Sequence, residues 1–184
     1  MASRRKKRSI MKNITVKDIA LIGMMIALIE ASKYALNVVP NVELTTFWVI
    51  MFSLYLGNRI FYAIPAFILI EGFVYGFHTW IIMYLYAWPL LALVCVWLRK
   101  RNSYIGCTIL STVFGLLFGL MCSVPYIFIG MSEGGILNGF YTAFTWWVAG
   151  IPWDLVHGIS NMVIMLVLYF PVSKAMQFAE KYTE

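Results

Sequence analysis

Apolar runs of about 20 residues follow one another along almost the whole chain, separated by short basic, glycine or proline breaks. That length is what an α-helix needs to cross the hydrocarbon core of a bilayer. Of the 184 residues, 62% are hydrophobic and 12% are charged, whereas soluble domains have roughly 45–50% and about 25%. A water-soluble fold of this size could not bury so much apolar surface. We therefore expect an all-α integral membrane protein.

Turn and charge signals divide the chain into six predicted transmembrane spans. A helix from Tyr141 to Val172 would hold Pro152 in its interior, so we place the start of the last span at Pro152, because proline suits a first helical turn. Residues 131–151 then form a long outer loop. The six predicted spans cover about 17–38, 43–56, 60–76, 80–98, 104–129 and 152–172.

The basic residues predict how these spans are oriented. With the N-terminus in the cytoplasm, 13 of the 14 Lys and Arg fall on cytoplasmic segments, and only Lys33 lies toward the other side. This distribution satisfies the positive-inside rule with both termini cytoplasmic. We predict a basic tail over 1–16, a six-helix transmembrane domain over 17–173 and a cytoplasmic tail over 174–184. The basic tail is expected to touch anionic lipid and not nucleic acid.

A few ionisable side chains fall in the predicted outer half of the spans, where each costs roughly 3 kcal/mol unless it is paired or near an interface. Asp154, His157 and Asn161 follow i, i+3, i+7 spacing and share one helix face. Aromatic side chains nearby could supply flat walls for a planar, polar ligand. The candidate substrate-binding residues are Glu71, Tyr75, His78, Trp80, Tyr84, Trp146, Trp147, Asp154, His157 and Asn161.

Each of these residues also has a structural interpretation. Trp and Tyr concentrate at membrane interfaces without any ligand. Asp154 could cap the N-terminus of the last helix with His157 as its partner, and His78 could be a solvated loop residue. Glu71 needs a partner inside its apolar helix, either Lys33 or a ligand.

The sequence shows no motif for catalysis, cofactor binding or ATP hydrolysis. It contains no phosphate-binding Walker loop, no HExxH or paired-cysteine metal spacing, and no GxSxG serine. We therefore expect neither an enzyme nor a bound cofactor, and no dedicated metal site.

Two rows of small residues recur at every fourth position, a spacing that lets membrane helices approach closely. On the fifth span we expect the row to pack within the monomer. On the first span the row could instead face another subunit. The rows are Gly23, Ala27 and Ala31 on the first span, and Ser111, Gly115, Gly119 and Ser123 on the fifth.

Several segments together resemble the substrate-binding S-components of energy-coupling factor (ECF) transporters, which are bacterial vitamin importers. These segments are a basic N-terminus leading into an Ala27-x-x-x-Ala31 pair, Pro40-Asn-Val-Glu43, Glu71-Gly-Phe-Val-Tyr-Gly76 and Gly150-Ile-Pro-Trp-Asp-Leu-Val-His157. The resemblance extends over nearly the entire chain.

The resemblance implies a multi-pass protein of a bacterial cell membrane that captures a vitamin or related micronutrient at the outer face. It implies docking to a transmembrane coupling subunit and two ATPase subunits, with Gly23, Ala27 and Ala31 as the docking face. It also implies that the outer loops and the sixth helix line the ligand site. The alternative hypothesis is a stand-alone small membrane protein, either channel- or sensor-like or an intramembrane metal enzyme.

Overall fold

The computed structural model describes residues 14–101 and 103–181, which form helices joined by short connections with no strand among them. Residues 1–13 of the predicted N-terminal tail lie outside the described residues. In the predicted C-terminal tail, residues 174–181 are helical. Two short 3-10 turns lie at Gly57–Arg59 and Arg99–Arg101. The helices are α1 (Val16–Leu36), α2 (Thr45–Tyr55), α3 (Ile60–Tyr75), α4 (Thr79–Leu98), α5 (Tyr104–Leu116), α6 (Phe118–Cys122) and α7 (Val124–Lys181).

Among the described residues, four helical stretches are long and apolar enough to cross a membrane. Helices α1, α3 and α4 agree closely with the first, third and fourth predicted spans. The two other apolar helices, α2 and α5, hold 11 and 13 residues. They are about 16 and about 20 Å long, less than the roughly 30 Å of a hydrocarbon core. The four long stretches are Val16–Leu36, Gly57–Tyr75, Thr79–Leu98 and Phe118–Ala179.

One end of the bundle gathers basic side chains, and we call it the basic end. The Nε of Arg59 donates to the Asp18 carboxylate at 2.6 Å, so α1 and α3 begin side by side. Asp18 also closes a capping box with Thr15 at the start of α1. Arg99, which follows α4, donates from Nη2 to the carbonyl of Tyr55 at 2.9 Å, and this places the last residue of α2 at the same end.

The opposite end, which we call the cavity end, contains the connection 37–44 between α1 and α2 and the connection 76–78 between α3 and α4. There the ring of Phe118 lies 6.5 Å from that of Tyr84 and 5.0 Å from that of His157. Helices α1 to α4 therefore alternate in direction along the bundle, and α6 meets α4 and α7 at the cavity end.

Helix α2 lies at the centre of the bundle, since ten of its 11 residues are buried. The exception, Trp48, stacks on Phe52 with ring centroids 5.1 Å apart. Its Nε1 donates to the Ser32 hydroxyl on α1 at 3.1 Å. A helix that is apolar on every side is stable when other helices cover it all round, and α2 meets this condition.

The prediction of one continuous helix for the fifth span is wrong, because Leu117 and Ser123 separate α5, α6 and α7. Pro125 has no N–H, so the carbonyl of Met121 lacks the partner it would have in a regular helix. The hydroxyl of Tyr86 on α4 donates to that carbonyl at 2.7 Å instead.

The start of the sixth helix at Pro152 is also wrong, and residues 131–151 are helical apart from Gly134 and Gly135 instead of forming a loop. The chain reverses at Gly134 and Gly135 inside α7, and Gly135 has φ +79°, which glycine adopts without steric cost. From there one helix runs through Pro152 to the end of α7. Membrane helices tolerate the hydrogen bond that an interior proline removes, because neighbouring groups compensate for it.

The two arms of this α7 hairpin, residues 124–133 and 136–181, pack closely near the turn. A Cβ at Gly139 would lie 2.5 Å from the backbone of the facing arm, so only glycine fits there. The Asn138 side chain donates to the carbonyl of Gly130 at 2.8 Å. Farther from the turn, the rings of Tyr126 and Trp146 stack with centroids 4.6 Å apart.

The small residues of the fifth span pack within the monomer, as predicted. A Cβ at Gly115 would lie 2.8 Å from the Cα of Gly158, so α5 and α7 touch backbone to backbone. The Ser111 hydroxyl is buried at the same interface. Near the start of α5, the hydroxyl of Tyr104 donates to the carbonyl of Leu166 at 3.3 Å, so α5 and α7 run antiparallel.

Candidate functional site

A cavity of about 390 Å³ opens at the cavity end, and we call it the main cavity. Its volume falls within the range of roughly 300–1,000 Å³ that is typical of small-molecule sites. Its wall combines the connection between α1 and α2 with side chains from α3, α4, α6 and α7. The lining residues are Lys33, Leu36, Asn37, Val39, Pro40, Asn41, Val42, Glu43, Glu71, Tyr75, Trp80, Tyr84, Phe118 and His157.

A buried ion pair joins α1 to α3 in the wall of the main cavity. The Lys33 ammonium contacts one carboxylate oxygen of Glu71, whose side chain is only 2% exposed. The ammonium also donates to the Tyr84 hydroxyl at 3.3 Å. Of the two partners predicted for Glu71, Lys33 is therefore present. The other Glu71 oxygen, Oε1, is buried without a hydrogen-bond partner in the described part of the chain.

Aromatic rings surround the same ammonium. Lys33 Nζ lies 5.5, 5.8 and 5.2 Å from the ring centroids of Phe67, Tyr75 and Tyr84. At these distances the electron-rich faces of the rings attract a cation. This part of the wall therefore holds a fixed positive charge inside an aromatic enclosure.

A second carboxyl group stands next to the ion pair and was missed by the sequence analysis. Glu30, also on α1, interacts with the carboxyl group of Glu71. Two carboxylates beside one ammonium leave one negative charge in excess unless a proton is bound between them. Glu30 lies three residues before Lys33 on the same helix, and that spacing is the sequence signal that could have identified it.

His157 is buried at the base of the main cavity, on the face of α7 that the spacing predicted. Its Nε2 lies 3.5 Å from the Thr46 hydroxyl and 3.8 Å from the Glu43 carboxylate. Glu43 also accepts a hydrogen bond from the Thr45 hydroxyl at 3.1 Å. The start of α2 therefore supplies polar groups to the site.

A second cavity of about 390 Å³ adjoins the main cavity and shares five lining residues with it. Asp154 reaches its wall from α7, and one carboxylate oxygen accepts the backbone N–H of Gly119 at 2.8 Å. Asp154 therefore caps α6 and not the start of its own helix, which corrects the capping interpretation. The lining residues are Pro40, Asn41, Trp80, Met83, Tyr84, Phe118, Gly119, Cys122, Trp146, Gly150, Trp153 and Asp154.

Asn161 lies on the same buried face of α7 but lines neither cavity. Its side-chain amide donates to the carbonyl of Ser111 at 3.2 Å, and the Ser111 hydroxyl donates to the Asn161 carbonyl at 3.4 Å. These reciprocal bonds hold α5 against α7. The position of Asn161 indicates a packing role.

The structure brings seven of the ten predicted site residues to the walls of the two cavities, and three residues lie elsewhere. Asn161 is displaced into the helix interface, as described above. His78 is an exposed residue just before α4, and Trp147 packs on Phe144 with centroids 6.2 Å apart, so neither lines a cavity. The predicted residues that do line a cavity are Glu71, Tyr75, Trp80, Tyr84, Trp146, Asp154 and His157.

The small residues of α1 lie on the outside of the bundle. Gly23, Ala27 and Ala31 are all exposed, and a Cβ at Gly23 would meet no atom within 4 Å. The α1 row therefore differs from the α5 row, which packs inside the monomer. It forms a smooth, unoccupied surface stripe.

Within the described residues, no group of three or more His, Cys, Asp or Glu side chains is arranged to hold a metal ion. The three cysteines, Cys95, Cys107 and Cys122, are buried and none of them forms a disulfide bond.

No protein-family model, curated protein or solved structure matches this chain.

Proposed function

We propose that this protein is the substrate-binding subunit of a bacterial importer of the ECF type, embedded in the cell membrane by six helical passes. It would capture a vitamin or related micronutrient at the outer face. The observation that carries this proposal is the pair of adjoining cavities at one end of an apolar bundle, lined by aromatic rings and by the buried Lys33–Glu71 pair. Charged side chains kept inside a membrane bundle are costly and usually mark a ligand or ion site.

The distribution of charge supports an outward-facing site. Arg59, Arg99 and Lys100 lie at the basic end, which the positive-inside rule assigns to the cytoplasm. The cavities lie at the opposite end, so the ligand would enter from outside. Both termini would then be cytoplasmic.

The short central helix is compatible with six passes. Helix α2 is covered by protein on almost every side, so its length need not match the thickness of the lipid. Irregular backbone is also tolerated at membrane depth when protein or a cavity surrounds it. The connection 37–44 would provide this backbone at the outer end of α2.

The exposed α1 row supports docking to a partner. A stripe formed by Gly23, Ala27 and Ala31 allows another membrane helix to approach closely, and no residue of this chain occupies it in the described structure. In the proposed complex, a transmembrane coupling subunit would pack there, and two ATPase subunits would supply the energy.

Purification and transport assays test the proposal. The protein, extracted in mild detergent, should retain a small organic molecule that mass spectrometry identifies. Coexpression with an ECF coupling subunit and its ATPases should give a complex and ATP-dependent uptake of that molecule. Absence of both complex and uptake with every such module would contradict the proposal.

Bulky substitutions on the α1 row separate docking from ligand capture. Ala27→Trp and Ala31→Trp should abolish complex formation and uptake while the purified subunit still retains its ligand. Ala149→Trp provides the control, because Ala149 is also exposed but lies on α7. Loss of ligand retention in the α1 variants would show instead that these alanines support the monomer fold.

A further inference from the structure

The second cavity has an unusually aromatic wall. Three tryptophans, Trp80, Trp146 and Trp153, line it from α4 and α7, together with Tyr84 and Phe118. Indole rings present the most electron-rich faces of the natural side chains and attract cations most strongly.

A single carboxylate stands in this wall without a counter-charge. Asp154 is only 7% exposed. One of its oxygens accepts the Gly119 N–H, and the other, Oδ2, is buried with no hydrogen-bond partner among the described residues. No Lys, Arg or His is among the residues that line the cavity. Burying a carboxylate without a cation to compensate its charge is costly.

The main cavity differs in this respect. There Glu71 is paired with Lys33, and Glu43 faces His157. The two cavities adjoin, so one molecule could extend from the main cavity, whose lining includes Lys33 and His157, into the second cavity, whose lining includes no basic residue. The uncompensated charge therefore distinguishes the second cavity as the part of the site that lacks a positive group.

We propose that the second cavity binds the cationic part of the ligand, an amine or a quaternised nitrogen heterocycle, with Asp154 as its counter-ion and the tryptophan faces as its walls. A neutral or anionic group would leave Asp154 uncompensated. This inference rests on the proposed function, because it names the chemical class of the molecule that the importer would carry.

A matched pair of probes tests the charge preference directly. The 1-methylnicotinamide cation and neutral 3-methylbenzamide have nearly the same shape and differ mainly in charge. Binding of each would be measured by tryptophan fluorescence on the full chain in nanodiscs. We expect the cation to bind at least about tenfold more tightly than the neutral amide, since ion pairing and cation–π attraction both favour it.

The variant Asp154→Asn isolates the charge. Asparagine keeps an oxygen that can accept the Gly119 N–H, so the cap of α6 is retained, and the melting temperature would verify this. We expect the cation preference to fall to about twofold or less. Glu133→Gln, which removes one exposed carboxylate near the α7 turn, should leave the preference unchanged. Trp153→Leu should lower cation affinity about threefold or more without changing binding of the amide.

The outcomes separate this inference from the proposed function. If the molecule retained by the purified protein is neutral or anionic, or if wild type shows no saturable preference for the cation, the inference is wrong even though transport with an ATPase module succeeds. An unchanged preference in Asp154→Asn would also overturn it. If no module supports uptake but the Asp154-dependent cation preference is present, the cation site stands and the importer proposal fails.

Discussion

The hydroxyl of Tyr86 on α4 donates a 2.7 Å hydrogen bond to the backbone carbonyl of Met121 at the end of α6. Pro125, four residues farther on, cannot supply the N–H that this carbonyl would accept in a regular helix. A side chain from a neighbouring helix therefore completes the backbone bonding where α6 passes into α7. In a membrane, where water is absent, a helix carbonyl that loses its regular donor depends on such a neighbouring group.

Removing this hydroxyl should destabilise the fold. Tyr86→Phe removes the side-chain hydrogen bond to the Met121 carbonyl, and we expect a loss of about 1–2 kcal/mol in the free energy of unfolding. Unfolding by SDS in mixed micelles would measure it. Tyr62→Phe is the control, because Tyr62 is exposed on α3, and it should change the stability by less than about 0.5 kcal/mol. Equal effects of the two substitutions would contradict the assigned role of Tyr86.

Helix ends marked by charged or glycine-containing breaks could be predicted from the sequence. Helix ends determined by tertiary contacts could not. The basic cluster after α4 and the Gly-Asn-Arg break before α3 end apolar runs unambiguously, and the structure places helix ends there. The break at Leu117 depends on a carboxylate 35 residues away, since Asp154 takes the Gly119 N–H. The sequence around Leu117 does not indicate this contact between α6 and α7.

The start of the last helix was predicted at the wrong residue, because both a proline and a glycine pair could mark it. Pro152 fits the start of a helix as well as it fits a tolerated interior position. The turn lies instead at Gly134 and Gly135, where a positive φ is needed. The local sequence does not decide between these options, because packing of the two arms through Gly130 and Gly139 selects one of them.

Cross-linking would test this hairpin. Tyr126 and Trp146 stack across its two arms with ring centroids 4.6 Å apart. In a background without other cysteines, Tyr126→Cys combined with Trp146→Cys should react efficiently with a short bismaleimide, detected as a mobility shift after cleavage in the connecting turn. Tyr126→Cys with Trp147→Cys is the control, because the next helical residue points about 100° away. Equal cross-linking of both pairs would indicate a flexible loop instead of a helix.

The candidate site was only partly predictable because its residues come from distant segments. Glu71 could be identified because it is an acidic residue inside an apolar run. Lys33 could be identified as its partner because it is the one lysine or arginine on the predicted outer side. Glu30 and Phe118 gave weaker signals: Glu30 lies among helix-forming residues, and Phe118 is one phenylalanine of 13. Only the packing of α1 and α6 against α3 and α4 brings them into place.

The Lys33–Glu71 pair should show strong energetic coupling. Lys33→Met leaves Glu71 buried without its cation, and Glu71→Gln removes the carboxylate that contacts the Lys33 ammonium. Each substitution should lower the free energy of unfolding by about 3 kcal/mol. The double variant should lose clearly less than the sum, since neither member of the contacting pair then stays buried without the other. SDS titration of the four proteins gives the coupling energy directly.

Two controls make that cycle interpretable. Lys174→Met changes an exposed lysine on α7 and should affect stability by less than about 0.5 kcal/mol. Combining it with Glu71→Gln should give an additive result, because the two residues lie at opposite ends of the bundle. Additivity in the Lys33–Glu71 cycle as well would mean that the ion pair contributes nothing to the folded state.

Adding one methyl group at a glycine should destabilise the protein where the glycine lies against another helix, and should have little effect where it does not. In Gly115→Ala the new Cβ would lie 2.8 Å from the Cα of Gly158 and 2.7 Å from the Asn161 amide, so the helices must move apart. We expect a loss of about 1–3 kcal/mol in the free energy of unfolding. Gly150→Ala is the matched control, because its Cβ would meet no atom within 4 Å, and it should be neutral or slightly stabilising. SDS unfolding of both variants measures the difference, and a Gly115→Ala protein as stable as the control would show that α5 and α7 do not touch there.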